Sequence, residues 1–317
     1  MTAVATQGWT QTGAPEAFKA RIARELFSHP VIIGNAYTRW FSQGRADAER
    51  MKDLILQFSV FSNYFLVIQA KRLVFAQTRE GEDAARSILV NELGVGMDPR
   101  TGSAEGKAFS ARNAHLNWLR DAGAALGLEP MALGRWSAAE PETRAFLQGL
   151  EESYASEDAC VGAGASFAIE NWAAFGIGQG PERESRNFWK QLIAGVEGHN
   201  RNFRAPRGLS PVPLAFFKYH FLMESGHSAG VWRELEEDLR APGFDGEKFI
   251  AGGRAALDAL EIFWRGLDSR RLRAERAADL SEDGGGAARG HADAPCGGRA
   301  LRNVGPVDAV APVRGVF

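Results

Sequence analysis

From Arg45 to Thr78 the chain runs without a glycine or proline, and within it MKDLILQFSVFSNYFLVIQAKRLVFA is apolar on nearly every side. Leu54, Phe58, Phe61, Phe65, Ile68 and Leu73 recur at helical spacing, with Gln57, Asn63, Gln69 and Arg72 mixed among them. A helix apolar all round has no face to give to water, so it predicts the central member of a helical bundle. No other stretch alternates polar and apolar residues as a strand would, and no repeat of fixed period is present. The fold class expected is all-α, one bundle of about seven core helices.

Around that helix the text reads as further helices. Glu16 to Ser28 has a helical period, His29-Pro30 interrupts it, and Val31 to Gly44 resumes it. His29 at that break reads as a turn or cap residue. Glu80-Gly81-Glu82 predicts a break before Asp83–Gly94, and GVGMDPRTGSAEGK reads as an irregular insertion. Ala108 to Leu126 predicts a helix closed by Gly127, and Ser137 an N-cap with Glu140 three residues on. The small residues of ACVGAGASFAIENWAAFGIG allow backbones to approach closely. Further helices are expected from Glu182 to Gly198 with His199 as terminal cap, from Pro213 to about Leu239, and from Phe244 to Leu272. Residues 1–14 read as a loose arm, 15–275 as the domain, and 276–317 as a disordered tail rich in Gly, Ala and Pro.

Composition excludes several classes. The charge is nearly balanced, 37 basic against 39 acidic residues, so nothing favours a nucleic acid or an anionic membrane as partner. Two cysteines make no disulfide framework and suit a reducing cytoplasm. The N-terminal text shows no basic region followed by an apolar run, and no uninterrupted apolar stretch has the length of a membrane span. A soluble cytoplasmic protein is expected.

The polar residues on apolar faces carry the functional signal. His220, Glu224 and His227 stand at i, i+4 and i+7, within roughly a 60° arc of one helix face shared with Phe216, Phe217 and Val231. Burying an unpartnered carboxylate costs several kcal/mol, of order 3 or more, so something must neutralise it. A metal would, and so would a nearby Arg or Lys. The oddity recurs: Glu92 ends the stripe of Ala85, Ile88 and Leu89; His115 shares a face with Ala108, Ala111, Trp118, Leu119 and Ala122; Glu170 lies among Ala163, Ser166, Phe167 and Ala173. Three carboxylates and three imidazoles from four helices suit two Fe(II) ions, with Mn(II) as the alternative, and a closed zinc site would call for thiolates.

In these residues the chain resembles the haem-oxygenase-like di-iron oxidases and oxygenases, whose seven-helix fold is shared with haem oxygenase, the TenA thiaminases and the PqqC-type oxidase. Asn91-Glu92-Leu93-Gly94 is similar to the family's first Glu motif, and His115 through Leu126-Gly127-Leu128 to its His helix. Glu170 is similar to its lone Glu, and His220, Glu224 and His227 to its final motif. Two features depart from the family pattern: a longer Glu92-to-His115 gap and Glu in place of the commoner Asp at 224. The resemblance implies a non-haem di-iron oxidoreductase that activates O2 as co-substrate to oxidise a small amino-acid- or carboxylate-like molecule, by N-oxygenation, oxidative C–C cleavage or desaturation. It also admits a homodimer and an external electron donor. Tyr64, Gln69 and Arg72 are the candidate substrate-binding residues, with Lys71 beside Arg72. The competing readings are a metal-free enzyme of the same fold and a non-catalytic helical binding protein. A haem reading would require His29 as ligand.

Overall fold

A computed structural model of the chain describes residues 14–174 and 187–284. Its helices are α1 (Ala14–Glu25), α2 (Pro30–Ile33), α3 (Ala36–Phe41), α4 (Ala48–Phe75), α5 (Arg79–Glu92), α6 (His115–Ala125), α7 (Pro141–Tyr154), α8 (Ala159–Ala174), α9 (Phe188–His199), α10 (Ala215–Asp238) and α11 (Gly246–Gly284). The chain is all-α: among the described residues no strand forms, and one isolated bridge joins Val95 to Phe109. Two compact units divide at Arg273. The second, Ala274–Phe317, is described only to Gly284 and is helical there.

The stretch without Gly or Pro becomes α4, started by the Asp47 side chain accepting from the Arg50 backbone N–H. Leu54, Ile55, Phe58, Phe61, Phe65 and Ile68 are all buried in the core, each worth about 1.5–3 kcal/mol of transfer free energy. Phe61 meets Phe146 of α7 with ring centroids 4.9 Å apart, and Phe58 meets Phe216 of α10 at 5.5 Å. α4 is the described helix long and apolar enough to cross a membrane; 61% of its most apolar window is buried inside the fold.

Packed against α4 are α5, α6 and α7, while α10 lies against α8, α5, α9 and α6. The small residues of α8 do what their size permits. A Cβ on Gly164 would fall 1.9 Å from the Phe249 carbonyl oxygen, and one on Gly252 2.1 Å from that of Val161, so α8 and α11 touch backbone to backbone. Asn171 staples α8 to α10 by accepting from Ser228 Oγ and Trp232 Nε1.

Several boundaries differ from the sequence reading. The single run Val31–Gly44 is two short helices, because the Asn35 side chain caps a new start by accepting from Thr38 N–H. His29 is the cap expected of it: Nδ1 accepts from Val31 N–H, and Nε2 lies 3.1 Å from Asp258 Oδ1. The break expected at Glu80-Gly81-Glu82 lies earlier, where Thr78 caps α5, and Gly81 is helical. Residues 108–114 are not α-helical, so His115 is the first residue of α6 and Ala108 and Ala111 share no helix face with it. Helix α7 starts at Pro141, not Ser137, since proline's fixed φ suits a first turn. His199 caps nothing; it is buried, its Nδ1 2.8 Å from the Ala46 carbonyl, and the chain continues through a π-helical turn, Asn200–Arg204. Helix α11 passes Leu272 and continues to Gly284 because RLRAERAADL is made of strong helix formers. Of the arm expected over residues 1–14, residues 1–13 lie outside the described residues, as do 175–186. Of the tail expected to be disordered over 276–317, residues 276–284 are helical and 285–317 lie outside the described residues.

Candidate metal centre

All six candidate ligands are buried, and they fall into two groups: Glu92 with His115 and His220, and Glu170 with Glu224 and His227. Within each group one ligand atom per residue lies within 4.8 Å of the others. Four helices deliver them, α5, α6, α8 and α10, with α10 contributing to both groups.

In the first group, His115 Nδ1 is 2.8 Å from Glu92 Oε2, and His220 Nε2 is 3.9 Å from Glu92 Oε1. His220 Nδ1 is 2.7 Å from the Phe216 carbonyl one turn back. A carbonyl only accepts, so Nδ1 is the donor there and Nε2 is the nitrogen turned toward Glu92. Trp118 stacks on His115 and Trp189 on His220, with centroids 5.2 and 4.7 Å apart. Burial works to raise the Glu92 carboxyl, but His115 and His220 outweigh it and hold it well below the usual range. Burial lowers His115 despite Glu92. Metal binding calls for an ionised carboxylate and neutral imidazoles, and an ion placed between them would take over the charge balance that a proton otherwise supplies.

The second group carries two carboxylates. His227 Nδ1 lies 3.0 Å from Glu224 Oε2 and 3.4 Å from Glu170 Oε2. Burial acts to lower His227, yet Glu224 and Glu170 hold it well above its ordinary value. Glu170 is raised by burial, relieved by His227 and opposed by Glu224. Without an ion, protons do the neutralising. Behind Glu170, Tyr154 donates to its Oε1 at 2.8 Å, while Gln69 and Ser166 donate to the Tyr154 hydroxyl at 2.6 and 3.2 Å.

Both groups open on one cavity of about 50 Å³, walled by Phe58, Phe61, Phe65, Trp172, Trp189 and Phe216. That volume admits a few water-sized molecules, dioxygen among them. The residues fit a pair of divalent ions on three counts. The donors are carboxylates and imidazoles without cysteine, the set suited to Fe(II) or Mn(II). The ion pairs of Glu92, Glu170 and Glu224 among the described residues are all with histidines. Nε2 of His115 and Nε2 of His227 are buried with no hydrogen-bond partner among the described residues, a cost that a ligand or ion at those nitrogens would relieve.

The candidate substrate residues lie elsewhere. Arg72 is buried in an ion pair with Glu234. Tyr64 donates to Glu151 Oε2 at 2.6 Å, beside an ion pair of Lys71 with the same carboxylate, and Glu151 pushes the phenol up to about 12. Gln69 stands one residue removed from the centre, behind Tyr154. None of the three lines the aromatic cavity. Gln57 is structural: it donates to the Ala138 carbonyl and accepts from Glu140 N–H and Thr143 Oγ1.

Sequence reasoning missed the Tyr154 hydroxyl, whose signal would have been a Tyr at the inner end of α7 facing Glu170. It also missed how the insertion is built. Gly94 (φ 106°) and Ser110 close its neck: Ser110 N–H donates to the Gly94 carbonyl at 2.9 Å, and a Cβ at 94 would fall 2.3 Å from Ser110 O. Its tip rests on α10. A Cβ on Gly102 would fall 2.2 Å from the Gly226 carbonyl, Ser225 Oγ donates to Pro99 O at 3.0 Å, and Arg233 Nη2 to Thr101 O at 2.6 Å.

Comparison with protein-family models and with curated proteins returned no match for this chain.

Proposed function

We propose that the chain is a non-haem di-iron oxidoreductase of the haem-oxygenase-like type, acting in the cytoplasm on a small organic substrate. The observation that carries this reading is the pair of buried carboxylate–imidazole triads opening on one aromatic cavity. Glu92, His115 and His220 would hold one ion, and Glu170, Glu224 and His227 the other. Three carboxylates offset most of the roughly +4 charge of two divalent ions. Bound iron supplies the electrons and Lewis acidity for O2 chemistry.

The protein's own part is positioning and exclusion. The Phe216 carbonyl fixes the tautomer of His220, and Tyr154 orients Glu170 while holding a proton at its Oε1. The rings of Phe58, Phe61, Phe65 and Trp189 wall the cavity with apolar surface, so chemistry that a bound metal pair would supply there would be shielded from bulk water.

Anaerobic loading with Fe(II), an iron count, and mixing with O2 under visible spectroscopy test the reading. About two irons per chain, with a transient absorption on mixing and loss of iron in Glu170→Ala and His227→Ala, are expected. A folded protein that takes up no iron would overturn it.

A further inference from the structure

A second and larger cavity, a cleft of about 580 Å³ between α5, α10 and the tip of the insertion, ends at the metal centre: His227 lines both the cleft and the aromatic cavity. Nothing in the six-ligand reading uses this cleft. Its floor on α10 is Gly226 and Gly230, and the walls include Ser87, Ser103, Glu80 and Glu105. These surfaces suit a polar guest and offer no continuous apolar track for a fatty chain.

Three arginines line it, and their states differ. Arg86 is bound to Asp83 at 2.6 Å and to Glu82, and Arg79 stands 3.9 Å from Asp83. Arg233, exposed to solvent, makes no ion pair with a carboxylate among the described residues; one of its N–H groups donates to Thr101 O, which pins the insertion tip. At the inner end, His227 turns Nδ1 to Glu170 and Glu224, and its Nε2 has no partner among the described residues.

We propose that this cleft is the substrate site, and that Arg233 binds the anionic group of a small, polar organic acid whose oxidisable part reaches in toward His227. Glu80, Asp83 and Glu105 also line the cleft and disfavour polyanions, so one anionic group is the expected number. The inference rests on the di-metal reading for what happens to the substrate, and on the cleft alone for what is bound.

The test therefore begins on metal-free protein. In the full-length chain carrying Cys160→Ser and Cys296→Ser, Gly230→Cys places a thiol in the cleft. A Cβ there meets only Ala84 Cβ at 3.8 Å and Arg233 Nη2 at 3.9 Å, both ordinary contacts. Ser87→Cys provides a second site should the first variant fold poorly. Labelling rates are measured with an anionic sulfonatoethyl methanethiosulfonate and its cationic trimethylammonioethyl analogue, each divided by its rate with free cysteine. The anionic reagent is expected to lead by roughly tenfold, the scale of focusing in a charged cleft, and Arg233→Gln is expected to abolish the lead. Equal rates, or a lead that survives Arg233→Gln, overturn the proposal. An iron count on the same proteins separates the two readings: selectivity without iron uptake removes the metal centre and keeps the anion cleft, whereas iron without selectivity removes only the cleft.

Discussion

One helix shows two ways of burying a carboxylate. On α10, Glu234 is paired with the guanidinium of Arg72, both side chains 4% exposed. Nearly three turns earlier on the same helix, the ion pair of Glu224 among the described residues is with His227, and a second carboxylate, Glu170, stands close by. The bland explanation available for any buried glutamate, a partner Arg from another helix, is realised at 234 and absent at 224 among the described residues. At 234 the chain supplies its own cation. Around 224, 170 and 92 it supplies imidazoles, which neutralise a carboxylate only by taking a proton or by sharing a metal. Self-sufficiency marks the structural site and deficit marks the candidate functional one.

The largest expected effect breaks the self-sufficient pair. Arg72→Met leaves Glu234 buried without a counter-charge and should cost about 3–5 kcal/mol. Glu224→Gln in metal-free protein should cost nothing or stabilise, because it removes a repulsion that Glu170 feels. Urea unfolding of the two variants measures the contrast, and equal losses would erase the distinction. Next comes the metal: Fe(II) or Mn(II) at about a hundred times its dissociation constant should stabilise wild type by about 2.7 kcal/mol. Glu170→Gln should lose that gain while Tyr64→Phe keeps it, as read by anaerobic thermal melts. A smaller effect is expected behind the ligands, where Tyr154→Phe frees Glu170 from its orienting hydroxyl. Iron affinity should fall about 10- to 100-fold with the fold intact by circular dichroism.

The last prediction uses pH at the structural end of α10. Burial, with Glu234 nearby, pushes the Asp238 carboxyl up to about 7. Its folded pKa thus lies above the unfolded value of 3.8, so the folded chain holds a proton that the unfolded chain has released. The stability this group contributes is full below about pH 4 and is lost as pH rises toward about 7. Asp238→Asn should flatten that part of the profile, seen in urea midpoints at about pH 5 and pH 8.

The site was legible because its residues break a rule visible in one dimension: charged groups do not repeat on apolar stripes. His220, Glu224 and His227 advertise this at helical spacing, and Glu170 does so by having no charged neighbour on its turn. Position within a helix was less legible. His115 was placed too deep in its helix and the next helix was started too early, at Ser137, since local propensity cannot tell an α-turn from the 3-10 turns at 111–113 and 136–138. The pocket residues were not legible at all. That Arg72 is taken up by a carboxylate depends on Glu234, which reaches it across the bundle from 162 residues away in sequence. The polar cleft is invisible for the same reason, being made where α5, α10 and the insertion tip meet.

The closed neck of that insertion has a consequence for how such a chain can change. Because Gly94 and Ser110 are fastened to each other, Glu92 and His115 are held by the neck, not by the residues between. The tip, Asp98 to Ser103, can then be swapped like a cartridge: doubling its length costs only about 0.6 kcal/mol of closure entropy. The seat it occupies forms one side of the cleft, so each new cartridge would present a different guest to an unaltered pair of triads.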